Sequence, residues 1–377
     1  MSLTKASDIV KAPTREAGGD NEVPRDGMGR PRIIVPCDAC NAAGSIPSHK
    51  TGRPIKCPKR CAAESGITSE GIFVPKGHRL VAYTRTTTFI DVLDDKSNLS
   101  AWGERMVLVG VAREPKLLND VAGIYDGLKL AEKQGNLEQV KANKDELNRK
   151  AQIAKKKAGA EEKADQGTHL HGLSELADEG EEFPKGISYE DFADLDAYRD
   201  ITAGFRHVHM EKLVVHDNLR VAGTPDRVSS LDRDWIIAHR HEGEREGKWG
   251  VEPQTGVVYI VAPNGQKITE NDLLITDLKT GTVEYGALKM AMQLALYSRS
   301  KLYNHMTGER SSMGRVNQQW GIIWNVPAGS GVGQAYWANL ELGWKAIELA
   351  REVRQIRTSG RKALTPLAVS STDVKAA

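Results

Sequence analysis

Three charged side chains interrupt stretches that otherwise have the apolar pattern of buried strands. Asp277 and Lys279 lie two positions apart in an apolar run that ends at Thr280. Alternate residues of a strand share a face, so we expect both charged groups on one side and Leu278 in the core. Asp226 follows a second strand-like stretch, which Gly and Pro interrupt. Because a buried strand accepts charge poorly, these groups indicate a functional cleft.

Two carboxylates and an ammonium at strand ends are the parts needed for metal-assisted hydrolysis of a phosphodiester. Carboxylate oxygens suit hard cations such as Mg²⁺. The cation polarises a phosphoryl oxygen and makes hydroxide available near neutral pH. An adjacent lysine can orient or deprotonate the attacking water and offset charge on the phosphorane.

Hydrophobic periodicity predicts the elements that must position these groups. We expect two helices over 116–165 with a break near Gly135, a helix over 189–205, a hairpin turning at His216–Asn218, a second hairpin formed by 235–238 and 257–261, a strand over 273–279, a helix over 287–303, strands over 320–324 and 335–340, and a closing amphipathic helix. This order indicates a mixed α/β domain over roughly residues 165–358.

The order of these motifs resembles that of the PD-(D/E)xK nuclease superfamily. Its signature is matched by Thr224-Pro225-Asp226 and then Asp277-Leu278-Lys279. Further matches narrow the resemblance to the branch that includes the RecB nuclease domain and the Cas4-like exonucleases. Its Gly-Thr-x-x-His motif is matched by Gly167-Thr168-His169-Leu170-His171, and its Gln-x-x-x-Tyr motif by Gln293 and Tyr297. The stretch from Tyr83 to Trp102 resembles the opening that often precedes the histidine motif. The resemblance covers roughly residues 80–358 and is close to the Cas4-like exonucleases of bacteriophages.

The resemblance implies a restriction-endonuclease-like core, with a central mixed sheet flanked by helices, and a DNA exonuclease that depends on Mg²⁺ or Mn²⁺. His171, Asp226 and Asp277 would then ligate the metal, with the Leu278 carbonyl as a further ligand. Lys279 would activate water, while Gln293 and Tyr297 would position the scissile strand or the lysine. The secondary candidates are Glu175, which shares a helix face with His171, and Glu211.

Two features of the sequence compete with this assignment. His169 is a rival to His171 on a different face of the same helix. Fifty residues separate Asp226 from Asp277, a wide gap for this motif. We expect a β-hairpin insertion over 232–270 to absorb the gap and to offer a surface for DNA.

Four cysteines form a candidate metal module. Their spacing, Cys37-x-x-Cys40 and then Cys57-x-x-x-Cys61, suits tetrahedral Zn²⁺, although the second pair has three intervening residues rather than two. An iron–sulfur cluster, as Cas4-like nucleases carry, is the rival. In those proteins one cysteine typically precedes the nuclease core and three follow it, whereas all four precede it here. The arrangement therefore favours structural zinc.

Composition divides the rest of the chain. We expect a disordered arm over 1–30, the cysteine module over 31–78, a helical part over 79–165, the core over 166–358 and a disordered tail over 359–377. The net charge of +2 says little about partners. The N-terminus has no apolar signal core and no apolar run could span a bilayer, so we expect a cytosolic protein without membrane partners, in the host cell if a phage encodes it.

The sequence is compatible with three functions. The first is a nuclease whose substrate is DNA, with a phage recombination protein as a candidate partner. The second is a nucleic-acid-binding accessory protein with a degenerate nuclease core. The third is a regulatory zinc protein with an unrelated α/β domain, in which the histidine, the two aspartates and the lysine would not converge.

Overall fold

A computed structural model describes residues 23–37, 66–67, 73–74, 77–360 and 363–365. Its strands and helices follow one another as β1 (Arg32–Pro36), β2 (Gly66–Ile67), β3 (Phe73–Val74), β4 (His78–Ala82), β5 (Thr84–Arg85), α1 (Thr86–Ile90), α2 (Ser97–Arg113), α3 (Lys116–Lys133), α4 (Leu137–Lys157), α5 (Glu162–Glu179), α6 (Tyr189–Thr202), β6 (Phe205–Met210), β7 (Val214–His216), β8 (Val221–Gly223), β9 (Arg227–Leu231), α7 (Arg233–Ala238), α8 (Arg240–Glu246), β10 (Trp249–Val251), β11 (Val258–Val261), β12 (Lys267–Thr269), β13 (Leu274–Lys279), α9 (Ala287–Ser298), β14 (Lys301–Tyr303), β15 (Arg310–Ser311), β16 (Trp320–Asn325), β17 (Gln334–Asn339) and α10 (Leu340–Ser359). Short 3₁₀ turns occupy Asp91–Leu93 and Glu284–Gly286.

A five-stranded sheet in the order β17-β16-β13-β9-β6 forms the centre of the fold. Strands β13 and β16 run parallel, and the other neighbours run antiparallel. The connection between the parallel strands contains α9, as a crossover between parallel strands requires. The prediction of a mixed α/β fold with a central mixed sheet is therefore confirmed.

Side chains alternate between the two faces of this sheet. Leu278 and Trp324 join a core cluster with Leu170 of α5 and Leu195 of α6. Ile275 belongs to a second cluster, which includes side chains of α9 and the start of α10. This period of two confirms that Leu278 lies in the core, on the face away from α9.

A second five-stranded sheet, in the order β15-β14-β7-β8-β5, lies beside the first. Strands β7 and β8 form the predicted hairpin, which turns at His216–Asn218. The Arg220 N–H closes the turn by donating to the Asp217 carbonyl at 3.1 Å. Strand β5 pairs in parallel with β8, which sets α1 next to the end of the hairpin.

The segment between β9 and β13 differs from the predicted hairpin insertion. Residues 235–238, predicted as a strand, form part of helix α7, because the Asp232 side chain caps the helix by accepting the Trp235 N–H at 2.9 Å. The strands of this segment are β10, β11 and β12, which form a separate antiparallel sheet. Val258 and Ile268 pack into the same core cluster as the central sheet, so the segment contributes to the core.

Two predicted helices end earlier than expected. The helix predicted over 189–205 ends at Thr202, and the helix predicted over 287–303 ends at Ser298. Phe205 and Tyr303 lie in strands instead. Apolar periodicity continued through both junctions, and over a few residues it does not distinguish a helix end from a buried strand.

Other predictions concern the helical segment and the chain ends. The break between α3 and α4 falls at Gly135, as predicted, and Asn136 caps α4. The second helix, predicted to reach residue 165, ends at Lys157, and α5 begins at Glu162. The last residues of the predicted disordered arm are packed, since Val23 is buried and the Pro24 carbonyl accepts the Arg32 N–H at 2.8 Å. Residues 1–22 of that arm and most of the tail lie outside the described residues. Over the ranges given above, no helix combines the length and the apolar character needed to cross a membrane.

Candidate active site

Asp226 and Asp277 lie at the same end of the β9–β13 pair. The last residues paired there are Thr276 and Arg227. Continuing this antiparallel register by one residue sets Asp277 across from Asp226, and Cα atoms of directly opposed residues lie about 5 Å apart. The Asp226 carboxylate also accepts the backbone N–H of Leu278 at 3.0 Å. Two residues that are 51 positions apart in the chain are thus held side by side.

His171 reaches this end of the sheet from helix α5. Its Nδ1 atom lies 3.5 Å from Asp226 Oδ2. Gly167, one turn earlier, lets the helix approach closely, since a Cβ atom there would lie 2.4 Å from Thr280 Oγ1 just beyond β13. The Gly-Thr-x-x-His motif therefore combines a close helix–strand contact with the histidine that this contact brings to Asp226.

The rival histidine has a different environment. His169 Nε2 lies 3.2 Å from Asp191 Oδ1, at the start of helix α6. Two residues along a helix point about 200° apart, so His169 faces α6 while His171 faces the aspartates.

Lys279 shares a strand face with Asp277, as the alternation predicts. Its ammonium contacts the Asp277 carboxylate, which is almost completely buried. Asn325, on the parallel strand β16, donates from Nδ2 to the carbonyls of Lys279 at 2.7 Å and Gly281 at 2.8 Å. Asn325 therefore fixes the backbone at the end of β13, where the lysine is attached.

Gln293 and Tyr297 approach from helix α9. Gln293 Nε2 makes a long hydrogen bond to Asp277 Oδ1, at 3.4 Å. The buried Tyr297 packs against Gly223, where an added Cβ would lie 2.9 Å from the tyrosine hydroxyl and 2.5 Å from Thr86 Oγ1. Gln293 thus contacts the carboxylate directly, whereas Tyr297 and Thr86 support the neighbouring end of β8.

Burial and mutual charge set the protonation states of these groups. Burial raises the pKa of Asp277 to about 7, and the charge of Asp226 acts in the same direction. Burial disfavours the Lys279 ammonium, but Asp277 and Asp226 outweigh it and raise the pKa of Lys279. Burial lowers the pKa of His171, although Asp226 opposes the change. At neutral pH the imidazole is therefore uncharged and the lysine is charged.

The two secondary candidates also lie next to this group. The Glu211 N–H donates to the Asp226 carbonyl at 3.1 Å. Burial, together with the charges of Asp226 and Glu175, raises the pKa of Glu211 to about 8. Glu175 and Glu211 line a cavity of about 270 Å³ with Glu179 and His207. Glu211 is therefore largely protonated at neutral pH, so the carboxyl groups crowded beside the aspartate pair do not all carry charge.

The carboxylate donors fit a hard divalent cation, whereas the imidazole of His171 is a softer ligand that suits transition metals. An uncharged imidazole nitrogen and a carboxylate oxygen lie 3.5 Å apart at His171 and Asp226, and two ligands at right angles on Mg²⁺ lie about 3 Å apart. Among the described residues, however, no three His, Cys, Asp or Glu side chains are grouped so that they could hold a metal ion together. The carboxylate of the expected third ligand, Asp277, is engaged by the Lys279 ammonium instead.

Of the four cysteines, the described ranges include Cys37. It is buried next to β1, and its backbone N–H donates to the Gly77 carbonyl at 2.8 Å. Cys40, Cys57 and Cys61 lie outside the described residues, so the zinc module stays a prediction.

Sequence reasoning missed three residues that support the site: Arg227, Asn325 and Thr86. Each is buried and hydrogen-bonded near Asp226, Lys279 or Tyr297. A signal existed for Arg227, a charged residue that opens an otherwise apolar and hydroxyl-bearing strand. The contacts of Asn325 and Thr86 join parts of the chain that are distant in sequence and left no local pattern.

No protein-family model matches the chain, and a search of curated proteins finds no match.

Proposed function

We propose that the chain is a divalent-metal-dependent deoxyribonuclease of the PD-(D/E)xK type, an exonuclease that acts in the recombination or processing of phage DNA. The observation that carries the proposal is the position of the Asp226 carboxylate. The carboxylate accepts a hydrogen bond from the backbone N–H of Leu278, the residue between Asp277 and Lys279, and lies 3.5 Å from His171 Nδ1. The third function considered above, with an unrelated α/β domain, gives no reason for these side chains to meet.

The proposed ligands of the catalytic cation are His171 and Asp226, which already face each other, and Asp277, whose carboxylate would exchange its contact with the Lys279 ammonium for the cation. When bound, the cation would polarise a phosphoryl oxygen and make hydroxide available from water. His171 is suited to ligation because its lowered pKa keeps the imidazole uncharged at neutral pH. Gln293 would hold the Asp277 carboxylate in orientation through the hydrogen bond to Oδ1.

Lys279 has a narrower proposed role than the resemblance alone implies. Its raised pKa keeps the side chain protonated at neutral pH, so the ammonium donates hydrogen bonds and does not remove a proton. In this role it would orient the attacking water and offset the charge that develops on the phosphorane. Asn325 would support the role by fixing the carbonyl of the same residue.

The test is degradation of linear DNA with Mg²⁺ or Mn²⁺ and with EDTA. Lys279→Met should lower the rate by about 100-fold or more, because removing one hydrogen-bond donor that stabilises charge in the transition state costs about that much. Lys150→Met is the matched control: this lysine is also half-buried and its ammonium also pairs with a carboxylate, that of Asp120, but the pair joins helices α3 and α4. Its rate should stay within about twofold of the wild type.

Either of two results would overturn the proposal. One is cleavage by Lys279→Met at the wild-type rate. The other is tight DNA binding by the wild type without cleavage in either metal, which would favour the accessory protein with a degenerate core.

We also propose a structural Zn²⁺ held by Cys37, Cys40, Cys57 and Cys61. Metal analysis of the purified chain should find about one zinc per molecule, the number that four thiolates bind in a tetrahedral site. Iron with acid-labile sulfide would instead identify an iron–sulfur cluster.

A further inference from the structure

Arg227 directly follows Asp226 and is 1% exposed. A buried guanidinium is costly unless its donors are bonded and its charge is paired. Its Nε donates to Asp178 Oδ2 at 2.5 Å, and its Nη2 donates to Ser174 Oγ at 2.8 Å. The guanidinium carbon also lies 5.3 Å from the centre of the Tyr198 ring. Directly beside a candidate ligand, the chain thus buries a guanidinium that is held by a carboxylate, a hydroxyl and an aromatic ring.

Both polar partners of Arg227 lie on the helix that carries His171. Ser174 and Asp178 follow His171 by three and seven residues, so all three lie on one face of α5. The Ser174 hydroxyl donates to the His171 carbonyl at 2.8 Å. Arg227 is thus connected to the backbone of His171 through a single hydroxyl group.

The backbone of Arg227 is fixed from the other side by the central sheet. It is paired with Thr276, the residue before Asp277, and with Met210 of β6. The side chain therefore bridges the strand that begins just after Asp226 and the helix that carries His171. Two consecutive residues therefore contact the same face of α5. Asp226 contacts His171, and Arg227 contacts Ser174 and Asp178, one and two turns further along the helix.

Asp178 is bonded to more than the arginine. It accepts the Tyr198 hydroxyl at 2.8 Å, and His207 Nε2 lies 3.3 Å from its Oδ1 atom. These groups come from α6 and β6, so helix α5 is tied to two further elements at this carboxylate. A buried network in which each member has its partners resists small displacements, because any shift leaves a polar group unsatisfied.

We propose that Ser174, Asp178 and Arg227 form a clamp that sets the position of His171 relative to Asp226. They are positioning residues that act through these two ligands. This inference rests on the proposed function for its consequence, the affinity for a divalent cation, but its geometric part does not. Groups that orient metal ligands typically change metal affinity by about 10- to 100-fold when they are removed.

The experiment compares Arg227→Lys and Ser174→Ala with the wild type and with Arg310→Lys. Arg310 makes a matched control because it also pairs with an aspartate, Asp217, that accepts a tyrosine hydroxyl. Its guanidinium likewise lies over a tyrosine ring, at 5.0 Å. That cluster lies on the β15-β14-β7-β8-β5 sheet and does not include α5. Arg310→Lys therefore shows the effect of weakening a partly buried ion pair that does not hold His171. Ser174→Ala keeps the ion pair and secures the test if Arg227→Lys does not fold.

Two readouts are needed. Calorimetric titration with Mn²⁺ should give a dissociation constant at least tenfold higher for Arg227→Lys and Ser174→Ala, and an unchanged constant for Arg310→Lys. Imidazole NMR resonances of His171, assigned with His171→Ala, should move in the first two variants and not in the control.

The outcomes separate the clamp from the proposed function. If the wild type binds no Mn²⁺, the proposed function fails, and the His171 resonances still decide whether the clamp positions the ring. If the folded Ser174 and Arg227 variants keep both the wild-type resonances and the wild-type Mn²⁺ affinity, the clamp is overturned. An equal loss of affinity in Arg310→Lys overturns it too, because general destabilisation would then explain the effect.

Discussion

Replacing Gly167 with alanine tests how closely helix α5 approaches the end of β13. In an unobstructed helix interior this change stabilises by about 1 kcal/mol, because glycine loses more backbone freedom on folding. Here the new Cβ atom would lie 2.4 Å from Thr280 Oγ1, whereas ordinary contacts begin at 3.4 Å. The helix or the threonine must therefore move by the difference, about 1 Å, and overpacking on this scale costs about 1–3 kcal/mol.

The two effects oppose each other, and the steric one is larger. We expect Gly167→Ala to lower the free energy of unfolding by about 1 kcal/mol. The next atom of the threonine, Cβ, would be 3.5 Å away and in ordinary contact. In a Thr280→Ala background the obstruction is gone, so the same change should raise stability by up to about 1 kcal/mol. The sign of the effect reverses between the two backgrounds.

Urea unfolding of the four proteins in this double-mutant cycle measures the coupling, which should be about 2 kcal/mol. DNA cleavage by the same proteins tests the site, since a displacement of about 1 Å in a catalytic group can cost about 100-fold. The single Gly167 variant should lose activity, and the double variant should regain most of what the clash removed. Equal stabilisation by alanine in both backgrounds would show that α5 does not approach Thr280 closely, and the argument for the position of His171 would fail.

Two further predictions concern buried polar groups. Burial favours a raised pKa for Asp178, but hydrogen bonding and charge from His207 and Arg227 outweigh it and lower the pKa. The ionised carboxylate therefore stabilises the folded state. Its contribution is present above the unfolded pKa near 4 and is lost as the pH falls through the lower folded pKa. Asp178→Asn should therefore cost about 3–5 kcal/mol near pH 7, and the difference from the wild type in urea titrations should narrow below about pH 4, whereas a constant difference would contradict the linkage. Asn325→Ala removes two partly buried hydrogen bonds, to the carbonyls of Lys279 and Gly281, and should cost about 2 kcal/mol. It should also reduce DNA cleavage, and wild-type values for both quantities would mean that Asn325 does not fix the end of β13.

The hairpin of β7 and β8 and the strand β13 could be predicted because their signals are local. A polar turn between apolar runs, or a short apolar run that ends at Thr280-Gly281, depends on neighbours in the sequence and is fixed by them. The local pattern was misleading at Trp235–Ala238, where the apolar, β-branched composition favours a strand but the residues form a helix. The helix there depends on the Asp232 cap, a local signal that was present in the sequence but was outweighed by composition.

The interactions that hold the candidate site together are mostly long-range. The pair Arg227–Asp178 spans 49 residues, and the Asn325 bond to the Lys279 carbonyl spans 46. No periodicity predicts such partners, because the hydrogen bonds depend on how elements pack and not on their neighbours in the chain. The sequence can therefore suggest which side chains perform the chemistry. It does not identify the side chains that position them, such as Arg227 and Asn325.

The topology also explains why a long insertion need not disturb the aspartate pair. Strand β9 runs away from Asp226 and ends at Leu231, whereas β13 begins at Leu274 and runs back toward Asp277. The segment between them therefore leaves and re-enters the sheet at the opposite end of the strand pair, roughly 15 Å from the aspartates for five residues of strand. Val258 and Ile268 of this segment can join the core cluster of the central sheet without disturbing the aspartates, because the register that opposes Asp226 and Asp277 is set by β9 and β13 alone. The wide gap in the sequence is thus compatible with a close pair in space, and the length of that gap is no argument against the site.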